Sequence, residues 1–225
     1  MAAHKNIVEL RQLLLDRFPH LRLSAQRGAP RDRWPTGVAR VDALLRGGLP
    51  RGAMTELIGS GRTGGTAVLV HALLQQVARS RQLAALVDGA DSFDATALEQ
   101  PVLSRLLWVR CTGAAMALKA ADILLRDRNL PLVILDLKMS TARELRKISA
   151  TTWHRWQRIL EQGSTAFLIV TPQPMVGGAE HRIEVKNRFS LEDLEREPSQ
   201  LLEELVLELL EDKAGGEKER LSQPA

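Results

Sequence analysis

Cysteine is nearly missing from this chain of 225 residues: Cys111 is the only one. An internal disulfide framework is thereby excluded. The single thiol follows an apolar run and reads as a buried filler suited to a reducing compartment. No apolar run approaches the roughly 18 residues that a membrane-spanning helix needs. The opening segment, Met1-Ala-Ala-His-Lys-Asn-Ile7, has no apolar stretch of the signal-peptide kind, so a cytoplasmic protein is expected. Histidine and cysteine nowhere cluster at metal-ligand spacing, and no metal site is expected. No serine, histidine and carboxylate constellation argues for a separate enzyme class, and there is no internal repeat.

What is present is ordinary for a globular protein, with 44% hydrophobic and 26% charged residues, enough for one sizeable α/β core with tails. The net charge of +4 hides an uneven distribution. Residues 192–220 carry eleven acidic and four basic side chains, which leaves the rest of the chain at +11. A basic body admits contact with nucleic acid or with an acidic partner, and solubility alone also accounts for it. Residues 4–18 read as an amphipathic helix, with Ile7, Leu10, Leu14 and Phe18 on one face. Residues 24–35 are linker-like, and a short helix is expected over 38–45.

From residue 53 the pattern alternates. Strands are expected at 53–58, 83–88, 105–109, 132–136 and 165–171, and helices at 65–79, 95–99, 113–127 and 141–162. Such alternation implies right-handed crossovers and a mainly parallel central sheet flanked by helices. The runs 132–135 and 166–170 are apolar throughout, as expected where helices cover both faces. A further strand is expected over 181–189, then a helix near 191–204 and a short last strand. From Asp212 the chain is polar and reads as disordered.

The stretch Gly52-Ala-Met-Thr-Glu-Leu-Ile-Gly59-Ser-Gly-Arg-Thr-Gly-Gly65-Thr66 carries the frame of a phosphate-binding loop. Gly59, Gly64 and Thr66 are in register, but Gly65 stands where that loop has its lysine. Backbone N–H groups and a helix N-terminus still favour an anion there. Arg62 is the only cation inside the loop. Thr66 is open to two readings, a Mg²⁺ ligand or a helix cap. Asp136, at the end of an apolar strand, is likewise either a Mg²⁺ anchor through water or a loop cap. Returning a lysine to position 65 is expected to report whether the loop keeps its shape.

Trp34-Pro-Thr-Gly37, Val41-Asp42, Gly47-Gly-Leu-Pro-Arg-Gly52 and Glu56-Leu-Ile-Gly59 resemble the start of RecA-type recombinase cores over roughly residues 33–190. That resemblance implies a RecA-like P-loop NTPase fold. Val87 to Asp94 resembles the segment bearing the family's catalytic glutamate, which maps onto Ala90, with Asp91 one position away. Gln173 falls where the family places a glutamine that senses the γ-phosphate. The segments matching the family's two DNA-binding loops, 137–142 and 174–180, are short. Lysine and glutamate are each worth orders of magnitude in rate, so losing both leaves no catalytic residue to assign. No cofactor is expected, although ATP with Mg²⁺ stays possible at Gly59, Arg62, Gly64, Gly65, Thr66, Asp136 and Gln173.

A short, degenerate RecA-like chain with Arg188-Phe-Ser-Leu191 near its end is similar to the ImuA family of mutagenesis-cassette accessory proteins. The resemblance implies a non-catalytic scaffold in SOS-induced, error-prone translesion DNA synthesis. The implied partners are an ImuB-like inactive Y-family polymerase, a C-family error-prone polymerase and RecA, with no membrane. Two other readings stay open: a DNA-dependent ATPase or recombinase mediator, and a regulator that caps RecA filaments. Arg143, Arg146 and Lys147 are candidates for DNA contact, while Leu145, Ile148, Trp153, Trp156 and Leu160 at helical spacing read as the buried stripe of the same helix. The organisation expected is an N-terminal helix and linker (1–32), a RecA-like core (33–190) and a C-terminal extension with an acidic tail (191–225).

Overall fold

The structure, a computed structural model, describes residues 32–59, 65–190 and 192–212. The helix expected over 4–18, the loop residues Arg62 and Gly64, and the polar tail after Asp212 lie outside the described residues. Arg33–Trp34 (β1) pairs antiparallel with Leu49–Pro50 (β2), with a short helix, Ala39–Leu44 (α1), between them. The end of the segment read as a linker is therefore strand. The Thr36 backbone N–H and hydroxyl donate to Asp42 Oδ1 at 2.8 and 2.7 Å, closing the turn into α1. Gly48 has φ +124, and a β-carbon there would meet the Trp34 carbonyl oxygen at 2.1 Å. Only glycine fits so close an approach. Trp34 is buried, and its indole N–H donates to Gln82 at 2.7 Å.

The core alternates as the pattern predicts. Its strands are Ala53–Gly59 (β3), Ala84–Asp88 (β4), Leu106–Arg110 (β5), Leu132–Asp136 (β6), Ala166–Thr171 (β7) and His181–Val185 (β8). Thr66–Arg79 (α2), Gln100–Leu103 (α3), Ala114–Asp127 (α4), Ala142–Leu145 (α5) and Ala150–Leu160 (α6) fall between them. After β8 come a 3₁₀ turn at Glu192–Glu195, a short helix at Pro198–Glu203 (α7) and a last strand, Leu207–Asp212 (β9).

Seven of the described strands form one sheet in the order β5-β4-β6-β7-β3-β8-β9. Every pairing is parallel except β8 with β9. Along β6 and β7 alternate residues serve opposite faces. Leu132, Ile134, Leu168 and Val170 join the cluster that holds α1 and α2, and Val133, Leu135, Phe167 and Ile169 join the one that holds α4 and α6. That two-sided burial is why these strands are apolar without interruption.

Three helical expectations change. The helix expected over 95–99 is turn, because the Asp94 carboxylate accepts from the Thr96 N–H and hydroxyl at 2.9 and 2.6 Å. Helix starts instead at α3, where Pro101 occupies the first turn and its missing N–H costs nothing. The helix expected over 141–162 is two. Ser149 caps α6 by accepting from the Thr151 N–H, and Thr141 with Glu144 forms a reciprocal capping box on α5. The buried stripe survives the break, with Leu145, Trp153, Trp156 and Leu160 all buried. The helix expected over 191–204 is likewise divided, with Pro198 setting the start of α7.

Candidate functional site

The strand order places β7 between β3, which feeds the glycine-rich loop, and β6, which ends in Asp136. An open parallel sheet of this kind holds its ligands beyond the carboxyl ends of its strands. Gly59, Asp88, Asp136 and Thr171 all close their strands at that edge.

Gly65 is the N-cap of α2, with φ +72 and ψ −5 in the left-handed region. A β-carbon at this position would lie 2.6 Å from Leu205 Cδ2, 3.1 Å from Phe189 Cε2 and 3.3 Å from Val185 Cγ1. The slot that would hold the loop's lysine is thus walled by apolar groups from β8 and the segment beyond it. Gly59 is equally confined, since a β-carbon there would meet Thr66 Cγ2 at 2.3 Å. Thr66 is buried and, with Gly65 at the cap, plays no capping role. Its hydroxyl oxygen accepts a hydrogen bond from Lys138 Nζ at 2.7 Å.

Lys138 is the residue that the sequence reading missed. It follows Asp136 by two positions, and its backbone N–H donates to Asp136 Oδ1 at 2.9 Å. Lys138 therefore links the end of β6 to the start of α2. Burial lowers its ammonium below the ordinary lysine range, and the Asp136 carboxylate opposes that shift. Asp136 is pushed up, chiefly by burial, with Asp88 on the neighbouring strand adding to the rise. The Asp88 carboxylate itself is taken by the backbone N–H groups of Ala90, Ser92 and Phe93.

Among the described residues no hydrogen bond joins Asp91 or Gln173 to this group. Asp91 has φ +51 and gives both carboxylate oxygens to Arg110, Nε at 2.6 Å and a terminal nitrogen at 2.9 Å. It is a surface ion pair and not a displaced acid for Ala90. Gln173 is exposed in the bend after β7. The segment that follows is held down from below. Buried Glu56 Oε1 accepts from Thr171 Oγ1 at 3.0 Å and from the N–H groups of Met175 and Val176 at 2.8 and 3.1 Å. Its other oxygen meets Arg182 Nε at 2.5 Å.

A magnesium-bound nucleotide at such a loop needs the threonine hydroxyl for the metal and a lysine beside the terminal phosphates. Here the hydroxyl accepts from Lys138, and position 65 has no side chain to offer. The described residues do not fit a magnesium–nucleotide complex.

Arg143, Arg146 and Lys147 are all exposed, on and just after α5. A second basic group lies elsewhere. Arg126, Arg128, His154, Arg155 and Arg158 line a cleft of about 480 Å³ between the end of α4 and α6. Asp122 organises its rim, accepting from Arg126 Nε at 2.7 Å and from Arg155 Nε and the Trp156 indole N–H at 2.9 Å each. Cys111 is buried, and burial raises its thiol, which leaves it inert. Among the described residues no helix is long and apolar enough to cross a membrane.

No protein-family model matches the chain. Among curated proteins it is similar to RecA of Leifsonia xyli subsp. xyli, with 32% identity over 120 residues, 52% of this chain and 33% of that protein. RecA of Saccharopolyspora erythraea is 35% identical over 123 residues, 52% of this chain and 34% of that protein. RecA of Picosynechococcus sp. is 31% identical over 104 residues, 45% and 30% of the two chains. The chain thus spans about a third of the length of the curated relatives it matches. Its mainly parallel, helix-flanked sheet agrees with that similarity, and the core is RecA-like.

Proposed function

We propose that this chain is a non-catalytic RecA-like accessory protein of DNA repair, acting in SOS-induced, error-prone translesion synthesis in the manner of the ImuA family. On this reading its partners are an ImuB-like inactive Y-family polymerase, a C-family error-prone polymerase and RecA. The observation that carries it is the left-handed Gly65 packed under Leu205, Phe189 and Val185, where the lysine of a working phosphate loop would stand. Ala90 at the position of the water-activating glutamate points the same way, as does the diversion of Asp91 to Arg110. An ion-pair and hydrogen-bond pin at Glu56, in place of a long free loop after β7, supports a protein that holds partners more than it remodels DNA. Arg143, Arg146 and Lys147 are the proposed DNA contacts.

The test is a coupled ATPase assay on the full chain, with and without single-stranded DNA, beside capture of purified ImuB-like polymerase. Capture without turnover is the expected result. Hydrolysis at a recombinase-like rate that disappears in Thr66→Ala or Asp136→Asn overturns the proposal.

A further inference from the structure

The cleft between the end of α4 and α6 holds charge that the folded chain leaves unbalanced. On α6, Thr151, His154, Arg155, Arg158 and Gln162 recur at helical spacing, on the face opposite the buried Trp153, Trp156 and Leu160. Arg126 and Arg128 bring two more guanidinium groups from the end of α4, and all four arginines are exposed. Among the described residues, Asp122 is the one carboxylate hydrogen-bonded to a side chain of this lining. It is anchored by the indole N–H of Trp156, and it holds Arg126 and Arg155 through their Nε atoms alone. The terminal nitrogens of these two arginines, and the whole Arg158 guanidinium, have no hydrogen-bond acceptor among the described residues. Arg128 spends one terminal nitrogen on Gln162, at 2.6 Å.

A guanidinium presents its N–H donors as a planar fork that matches the two oxygens of a carboxylate. Four such groups around one carboxylate also repel one another, Arg155 and Arg158 from a single turn of the same helix. An anion seated between them fills the forks and relieves the repulsion in one step.

We infer that this cleft docks a short acidic segment of a partner protein, with two or more Asp or Glu carboxylates seated between the arginines of α4 and α6. The inference rests on the partner-holding reading above and gives it a place and a chemistry. Clustered arginines recognise an acidic motif without an apolar anchor, and Ile159, half-buried, is the one apolar residue in the described lining. The volume of about 480 Å³ is that of a site that takes in a few groups. Nucleic acid fits less well on two counts. No Phe or Trp ring is in the described lining, so the bases of a single strand have nothing to stack on. The exposed residues Asp127 and Glu161 adjoin Arg126, Arg128 and Gln162 in sequence, so a polyanion that continues past the cleft meets negative charge. A short acidic segment ends before it does.

The test is fluorescence anisotropy of labelled hexa-aspartate with the full chain, beside labelled hexaserine, single-stranded DNA and duplex DNA. Wild type is expected to bind hexa-aspartate with a dissociation constant of roughly 100 μM or tighter at low salt, weakening as salt rises, and to ignore hexaserine. Arg155→Ala/Arg158→Ala removes two exposed forks where alanine favours the helix, and is expected to lose roughly tenfold or more, with urea unfolding confirming the fold. The triple alanine variant of Arg143, Arg146 and Lys147 is expected to keep its peptide affinity within about twofold. The inference is overturned if wild type does not bind hexa-aspartate, or if the double variant binds it equally well. It is also overturned if DNA displaces the peptide and itself binds more weakly to the double variant, which makes the cleft a nucleic-acid site. Failed capture of the ImuB-like polymerase with peptide binding intact refutes that choice of partner and supports the cleft; intact capture without peptide binding does the reverse.

Discussion

Gly65→Lys completes the phosphate-loop motif on paper, and the structure says that it damages the fold. Two costs arise at once. A residue with a β-carbon held at φ +72 gives up about 1–2 kcal/mol relative to glycine. That β-carbon would also stand 2.6 Å from Leu205 Cδ2 and 3.1 Å from Phe189 Cε2, both from side chains packed at the core. Forcing such groups apart costs about 1–3 kcal/mol. Gly65→Ala is therefore expected to lose about 2–5 kcal/mol in equilibrium urea unfolding, at an unchanged denaturant slope, and Gly65→Lys at least as much. Leu205→Ala in the same background removes the steric part, so a double-mutant cycle returns a coupling of about 1 kcal/mol or more. A Gly65→Lys protein as stable as wild type that also binds Mg-ATP tightly would refute this account. The loop would then have lost only a charge.

Three other outcomes follow from the contacts described. Asp122→Ala strips the buried Trp156 indole N–H of its acceptor and is expected to cost about 1–3 kcal/mol at neutral pH, read by urea unfolding. Burial raises the Asp122 carboxyl, but Arg126, Trp156 and Arg155 outweigh it and the net shift is downward. Its stability is therefore complete above the unfolded value of 3.8 and is lost as pH falls below it; Asp122→Asn flattens that acid limb. Glu56→Ala removes the acceptor of the Thr171 hydroxyl, of the Met175 and Val176 N–H groups and of Arg182 Nε, and is expected to cost about 3 kcal/mol or more in the same unfolding assay. Single-stranded DNA binding through Arg143, Arg146 and Lys147 is expected to weaken with salt at a log–log slope that these three contacts set at about −2, and to vanish in the triple alanine variant.

Periodicity made most of the fold legible, because two-sided burial writes itself into sequence. The strand at 132–136 has the bounds read from its apolar run. Helix breaks were harder to see. Ser149 and Pro198 act through caps worth little beside the propensity of a long run, so one helix was expected where two form. The site was half legible. Gly59, Gly65, Thr66 and Asp136 are set by local motif, and the structure brings them to one edge. Lys138 is 72 positions from the hydroxyl it bonds, and no spacing rule spans that distance. The one available signal was a lysine two residues after the aspartate, on a strand whose end faces the loop. Nor was it legible that position 65 is crowded, because Phe189 and Leu205 lie 124 and 140 positions further along the chain and arrive beside β3 only through the β8 pairing.

The strand order carries a consequence for how the chain reaches this state. β3 is made first and ends in the centre, where Ala53 pairs with Ala166 of β7. β4, β5 and β6 pair among themselves without it. A nascent chain leaving the ribosome therefore exposes a strand that is buried along its whole length in the finished protein, with no sheet neighbour until β7 has been synthesised. Closing so long a loop is slow, and the waiting strand is prone to aggregate. Yield in the cell should accordingly follow chaperone supply more closely than it follows the stability of the finished protein.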